Sequence, residues 1–223
     1  MGKRFRRLTQ IFRASAASGA VFLGGCVSAG GLHGRPLTPG ERDMARGVFG
    51  DAVDYDKVKL YNGAPKVAGI FTLKQNKLSA ITPNGEIFLV GKNIQQPDLS
   101  LAGEEGRKLL IHEMTHVWQH QQGRNVEGEA IFLFIKSGFN YDSAYAYDIN
   151  GKEKFVNLNL EQQAHMVEDY FALRDTPLQP WEDPAERREK IAKFEAMLKP
   201  SLPLTNSASA LPPRKQGGSP PHL

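Results

Sequence analysis

Between residues 57 and 90 the chain has several short runs with the residue pattern of β-strands. Val58 and Leu60 alternate with lysines, and β-prone runs follow at residues 67–73, 78–81 and 86–90. Residues typical of turns separate these runs, including a Pro-Asn-Gly sequence before the last one. The pattern predicts a small, mainly antiparallel sheet of three or four strands.

Helical spacing of apolar residues follows in the second half. Three long helices are predicted, at residues 103–122, 159–175 and 184–199. A shorter helix is predicted at Pro39–Phe49, because Thr38 and Glu41 have the spacing of a capping box. The apolar run at residues 129–136 fits either a strand or a buried helix. Strands followed by helices favour an α+β fold.

The positive charge of the chain is concentrated at its ends. The full sequence has a net charge of +4, from 28 Lys and Arg against 24 Asp and Glu. Residues 1–25 hold five cations and residues 200–223 hold two, with no acid in either segment, which leaves residues 26–199 at about −3. A nucleic-acid partner is therefore not expected. The single cysteine excludes an internal disulfide framework, and no apolar run is long enough for a polytopic membrane protein.

The amino terminus has the features of a bacterial export signal. A basic segment, Lys3–Arg7, precedes a short apolar stretch at residues 14–25. Leu23–Cys26 resembles the lipobox of bacterial lipoproteins, which predicts cleavage before Cys26 and a lipid on its thiol. The alternative is a plain secretory or twin-arginine signal with an incidental cysteine. The expected location is the cell envelope, with a lipid anchor on the periplasmic side.

These features divide the chain into four segments. Residues 1–25 are the export signal, residues 26–36 a flexible tether, and residues 37–199 the folded domain. Residues 200–223 are rich in Pro, Ser and Gly, and we expect them to form a disordered tail.

The predicted helix at residues 103–122 carries a motif with a specific chemistry. His112 and His116 are four residues apart, so their imidazoles lie on one face of the helix and can converge on one ion. Glu113 lies beside them, where it can act on a water molecule without binding the metal itself. The spacing is that of the zinc-peptidase motif H-E-x-x-H.

A catalytic zinc needs a third protein ligand and one open position. His120 is excluded, because eight residues of helix separate it from His112 by about 12 Å along the axis. The helix that follows Leu160 offers four candidates near one face: Glu161, His165, Glu168 and Asp169. Spacing alone does not choose between Glu161 and Glu168.

The motif and its surroundings resemble a known family. The segments at residues 112–119 (HEMTHVWQ), 161–164 (EQQA), 37–55 and 83–85 resemble gluzincin-type metallopeptidases of bacteria. The resemblance is particularly to small Vgr-related proteins, which are similar to the core domain of contractile injection system proteins. The resemblance covers about residues 37–175. It implies a zincin-like fold in which the sheet packs on the H-E-x-x-H helix and on a second ligand helix.

The resemblance also implies a ligand set. Gluzincins take their third ligand from a glutamate in an E-x-x-A-D segment, and Glu161 matches that position, with His165 in place of the usual aspartate. The implied Zn²⁺ site is thus His112, His116 and Glu161, with Glu113 as the general base. The departure at His165 leaves open which group orients the metal ligands.

The function that follows is a zinc-dependent hydrolase, a peptidase acting on peptide or protein substrates at the bacterial envelope. We expect the strand at residues 86–90 to pair with an extended substrate. The oxyanion-stabilising residue stays open among four candidates, Tyr141, Tyr145, Tyr147 and His165. The alternative is a non-enzymatic, zinc-stabilised accessory or binding protein of an envelope or secretion system. Trp118 and Trp181 are expected in the core.

Overall fold

The computed structural model describes residues 27–67, 80–90, 96–129 and 145–204. Five short strands are present in these ranges: β1 (Val27–Ser28), β2 (Leu60–Asn62), β3 (Lys66–Val67), β4 (Ala80–Ile81) and β5 (Ile87–Leu89). Four α-helices are bounded within them: α1 (Pro39–Phe49), α2 (Glu104–Gln121), α3 (Leu160–Asp175) and α4 (Pro184–Leu198). The fold is α+β, as predicted.

The strands form two small sheets. In the three-stranded sheet the order is β2-β5-β4, with β2 parallel and β4 antiparallel to the central β5. This sheet is mixed, whereas a mainly antiparallel one was predicted; β1 and β3 form a separate antiparallel pair. Because β5 is hydrogen-bonded along both edges, the prediction that residues 86–90 pair with a substrate is wrong.

The helices begin and end close to the predicted residues because their capping signals are local. Thr38 accepts a hydrogen bond from the backbone of Glu41, whose side chain accepts one from the backbone of Thr38, which completes the capping box of α1. Asn159 and Gln162 form the same arrangement at the start of α3. The buried Glu41 carboxylate also accepts two hydrogen bonds from Arg35, at 2.7 and 2.8 Å.

Helix α2 is the centre of the domain. From Leu109 to Gln119 every residue except His112 is buried, and α2 packs most extensively on α3. The 3₁₀ turn at Pro83–Gly85 covers the carboxyl-terminal half of α2. Gly85 has a φ of 75°, and a Cβ there would lie 2.6 Å from His120 Cδ2, so both the backbone and the close approach favour glycine.

The two tryptophans have different environments. Trp118 on α2 is 9% exposed and packs near Phe155, with ring centroids 6.2 Å apart, as predicted for a core residue. Trp181 is 81% exposed, so its predicted core position is wrong. It lies in the connection between α3 and α4, which contains two prolines and runs over the surface.

Some predictions fall at or beyond the limits of the described residues. The export signal with Cys26, Tyr141 and the run at 129–136, apart from Glu129, lie outside them. The predicted tether is described from residue 27, and within it Arg35 exchanges two backbone hydrogen bonds with Leu60. Leu202 is buried three residues beyond the predicted end of the domain. Across the described ranges, no helix combines the length and apolar character that a membrane span requires.

Candidate metal centre

The two histidines of α2 meet at their Nε2 atoms. His112 and His116 lie one turn apart on the face of α2 that packs against α3, and 3.3 Å separates their Nε2 atoms. His116 is buried and His112 is partly buried. Their ring planes are 79° apart, so the rings approach edge to face, and both Nε2 atoms are close enough to bind one ion at this point.

Helix α3 adds a carboxylate to this point. Glu161 Oε2 lies 3.4 Å from His112 Nε2 and 3.5 Å from His116 Nε2, so the three donor atoms form a nearly equilateral triangle. For metal–ligand distances of about 2.0–2.1 Å, a tetrahedral site places its donor atoms about 3.3–3.4 Å apart. The three side chains therefore fit one ion, and among the described residues they are the group that could hold a metal.

Glu168 lies on the other side of His112. Its Oε2 atom is 3.1 Å from His112 Nδ1, and its Oε1 atom is 3.4 Å from Lys108 Nζ. Glu161 and Glu168 are seven residues apart, which is close to two helical turns, so both reach α2 from one face of α3. Of these two glutamates, only Glu161 lies close to the Nε2 atoms of both histidines, so the geometry favours Glu161 as the third ligand.

Gln119 contacts His116 in the corresponding way. Its Oε1 atom lies 2.9 Å from His116 Nδ1, and its amide nitrogen donates hydrogen bonds to the Leu160 carbonyl and to Gln163. Gln119 was not predicted from the sequence as a site residue. Its position three residues after His116, on the same helix face, is the signal that could have identified it.

Glu113 is buried beside the two histidines. Only 5% of its surface is exposed, and Thr82 Oγ1 donates a hydrogen bond of 2.6 Å to its Oε2 atom. Thr82 follows β4 directly and was not identified from the sequence. No local signal could have identified it, because 31 residues separate Thr82 from Glu113 in the chain.

Contacts within this cluster shift the pKa of three of its members against the effect of burial. Burial disfavours the charged form of His112, but hydrogen bonds to Glu161 and Glu168 outweigh that effect and hold its pKa well above 6.5. Burial likewise opposes ionisation of the two glutamates. The charge of His116 and hydrogen bonds to both histidines nevertheless hold the pKa of Glu161 well below 4.5, and the contact with His112 lowers that of Glu168.

The candidates for oxyanion stabilisation differ in position. The Tyr145 ring centroid is 6.2 Å from that of His112. Tyr147 donates a hydrogen bond of 2.6 Å to Asp169, and its pKa is raised by burial and by the negative charge of Asp169. His165 Nδ1 is 3.2 Å from the Tyr145 carbonyl oxygen. Among the described candidates, Tyr145 has the ring contact with the histidine pair.

Comparisons with known proteins relate the chain to a secretion-system protein. No protein-family model matches the sequence. The chain is 36% identical over 166 residues to the type VI secretion system spike protein VgrG2b of Pseudomonas aeruginosa. That alignment covers 71% of this chain and 16% of the spike protein, so the chain spans a small part of its relative.

A solved structure matches over most of its own length. The effector domain of Pseudomonas aeruginosa VgrG2b is 31% identical to this chain, with a TM-score of 0.55. The match covers 75% of this chain and 83% of the effector domain. The chain therefore belongs to the family of the VgrG2b effector domain.

Proposed function

We propose that the protein is a zinc-dependent hydrolase of the gluzincin type, and specifically a peptidase. The observation that carries the proposal is the triangle of His112, His116 and Glu161 donor atoms, with sides of 3.3–3.5 Å, next to the buried Glu113. Two imidazoles and one carboxylate are a donor set of catalytic zinc sites, which keep a fourth position for water or substrate.

The choice between zinc and other ions rests on the donor atoms. Imidazole nitrogens suit zinc and other transition metals, whereas calcium and magnesium prefer sites made only of oxygen. Both histidines also have an acceptor next to Nδ1, Glu168 for His112 and Gln119 for His116. Such partners orient imidazole ligands in zinc enzymes and make them more basic.

Each residue of the site has a role in this proposal. A zinc ion held by the triad supplies Lewis acidity toward a carbonyl oxygen and a water molecule. Glu113 accepts a proton from the attacking water and returns it to the leaving amine nitrogen. Thr82 holds one carboxylate oxygen of Glu113, which leaves the other for this proton transfer. We propose Tyr145 as the donor to the developing oxyanion, because its ring centroid lies 6.2 Å from that of His112.

The proposed location is the bacterial envelope, with peptide or protein substrates and no nucleic-acid partner. Two observations support it: the basic and apolar segments that precede Cys26 in the sequence, and the relationship to a spike protein of the type VI secretion system. Attachment through a lipid on Cys26 is part of the same proposal. Replacement of Cys26 by serine would then move the protein from the membrane fraction to the soluble fraction.

A second candidate is a zinc-stabilised accessory or binding protein of an envelope or secretion system. The relationship to a protein of the type VI secretion system supports this candidate as well. The two candidates differ in the number of zinc ligands. A structural zinc has four protein ligands, whereas three side chains form the cluster among the described residues.

Substitution of Glu113 separates the two candidates. Glu113→Gln keeps the side-chain size but cannot accept a proton, so zinc content and Tm should barely change. Cleavage of a peptide library should fall by about 10²- to 10⁴-fold. Glu105→Gln, at an exposed position on the same helix, is the matched control and should cleave like the wild type.

Two results would contradict the peptidase. Equal cleavage by the wild type and Glu113→Gln would indicate a contaminating protease. A zinc-loaded wild type that cleaves neither the library nor envelope proteins, with a fourth protein ligand on the metal, would favour the accessory protein.

A further inference from the structure

We propose that Gln119 selects the tautomer of His116, so that its Nε2 atom carries a lone pair rather than a proton. The inference rests on the proposed metal site, and it assigns the orienting residue for the second histidine ligand. It follows from the orientations of two buried glutamine side chains, Gln163 and Gln119. Each is oriented by neighbouring groups that can act only as a donor or only as an acceptor.

The first fixed groups surround Gln163, which is buried on α3. Its Nε2 atom lies 2.9 Å from the carbonyl oxygen of Phe155, which can only accept. Its other end lies 2.6 Å from Arg124 Nη1, which can only donate. Both contacts require the same orientation of the amide. Gln163 Oε1 therefore faces Arg124, and it also faces Gln119.

The orientation of Gln119 follows from that of Gln163. Gln119 Nε2 lies 2.9 Å from Gln163 Oε1 and 3.0 Å from the carbonyl oxygen of Leu160. Both neighbours are acceptors, so the NH₂ group of Gln119 must occupy this end. A flipped amide would place three oxygens together inside the protein, and an unsatisfied buried polar group costs about 1–3 kcal/mol. Gln119 Oε1 is thereby turned toward His116.

The tautomer of His116 is then determined. Gln119 Oε1 is an acceptor 2.9 Å from His116 Nδ1, so Nδ1 carries the proton. In a neutral ring the lone pair then belongs to Nε2, which faces His112 and Glu161 at 3.3 and 3.5 Å. Because a metal binds the unprotonated nitrogen, this is the tautomer in which Nε2 can act as a ligand.

The same glutamine contributes to the third ligand. Leu160, whose carbonyl oxygen accepts from Gln119, immediately precedes Glu161 in the first turn of α3. One buried amide therefore fixes both the imidazole of His116 and the backbone next to Glu161. We classify Gln119 as a positioning residue, because it acts through His116 and Glu161.

The decisive measurement is the ¹⁵N spectrum of the histidine rings in the metal-free, full-length protein at alkaline pH. We expect His116 to show a protonated Nδ1 and an unprotonated Nε2. A proton on Nε2 of the wild type would overturn the proposal. The measurement uses the wild-type protein, so it depends neither on the folding of a variant nor on a known substrate.

Two variants separate positioning from packing. Gln119→Met removes the acceptor, and Gln163→Met removes a buried glutamine of the same network that does not touch His116. We expect Gln119→Met to lose the tautomer preference and to bind zinc about 10- to 100-fold more weakly in competition with a chelator. Gln163→Met should keep the Nδ1 proton, because the Leu160 carbonyl oxygen still accepts from the amide nitrogen of Gln119 and so keeps its orientation. Identical tautomer spectra and zinc affinities in both variants would reduce Gln119 to a packing residue and overturn the proposal.

The test is independent of peptidase activity. If the wild type has the Nδ1 proton on His116 but binds no zinc, the proposed function fails while the tautomer assignment stands. If zinc binds and the proton is on Nε2 of metal-free His116, the assignment fails while the proposed function stands.

Discussion

The two histidines of the candidate metal centre lie one helical turn apart, yet the protein holds them by different means. His112 contacts a carboxylate, Glu168, which itself lies 3.4 Å from Lys108 Nζ. His116 contacts a neutral amide, Gln119, whose other hydrogen bonds go to α3. At its Nδ1 atom, one imidazole therefore contacts a charged carboxylate and the other a neutral amide.

The difference shows how a buried site can orient two ligands without accumulating charge. Glu113, Glu161 and Glu168 are three buried carboxylates, and the Lys108 ammonium group together with a divalent cation in the proposed site would balance them. A second carboxylate in place of Gln119 would leave an excess negative charge away from water. The raised pKa of His112 fits this view, because its proton supplies part of the missing positive charge in the metal-free site.

The largest expected effect is the loss of zinc when one of the three proposed ligands is removed. His112→Ala, His116→Ala and Glu161→Ala should each lose stoichiometric zinc, because two remaining side chains do not make a protein site for the ion. Metal analysis of the purified full-length variants measures this loss. Glu168→Ala should keep zinc, although more weakly. If Glu168→Ala loses the metal while Glu161→Ala retains it, the third ligand is wrongly assigned.

A smaller effect is expected from the carboxylate that orients His112. Glu168→Gln keeps the shape but removes the charge, and we expect zinc affinity to fall by about 10- to 100-fold. Competition with a chelator measures the affinity, and Glu189→Gln on the exposed face of α4 serves as the control. An unchanged affinity for Glu168→Gln would show that the charge beside His112 has no part in binding.

Sequence reasoning identified what depends on neighbouring residues. The capping box at Thr38 and the four-residue spacing of His112 and His116 are local, so helix α1 and the histidine pair could be predicted. The zincin-like fold and the roles of the site residues stay predictions. The spacing of residues in the sequence did not distinguish Glu161 from Glu168 as the third ligand, because the distinction depends on which ring nitrogen of His112 each carboxylate contacts.

What sequence reasoning missed depends on contacts between distant residues. Strand β5 is central because it pairs with β2 along one edge, where Tyr61 lies opposite Phe88, and with β4 along the other. No local pattern in the sequence records that strand order. The contact between Thr82 and Glu113 likewise joins residues that are distant in the sequence. Trp181 was placed in the core by residue type alone, although its surroundings in the chain are those of a surface loop.

The smallest expected effect is a pH dependence that distinguishes the charged arrangement from the neutral one. In the metal-free protein the pKa of His112 is raised above 6.5, so its contribution to stability is complete below that value and is lost as pH rises through the raised pKa. The pKa of Glu168 is lowered below 4.5, so its contribution is present above that value and is lost as pH falls through the lowered pKa.

The Tm difference between the metal-free wild type and Glu168→Gln should therefore be largest between about pH 4.5 and 6.5, and should shrink on both sides. In a domain of this size each kcal/mol moves Tm by about 2–4 °C, which thermal unfolding resolves. Gln119→Met should lower Tm by an amount that does not follow this window, because the Gln119 amide does not titrate. Parallel pH profiles for the two variants would remove the distinction between the charge-held and the amide-held histidine.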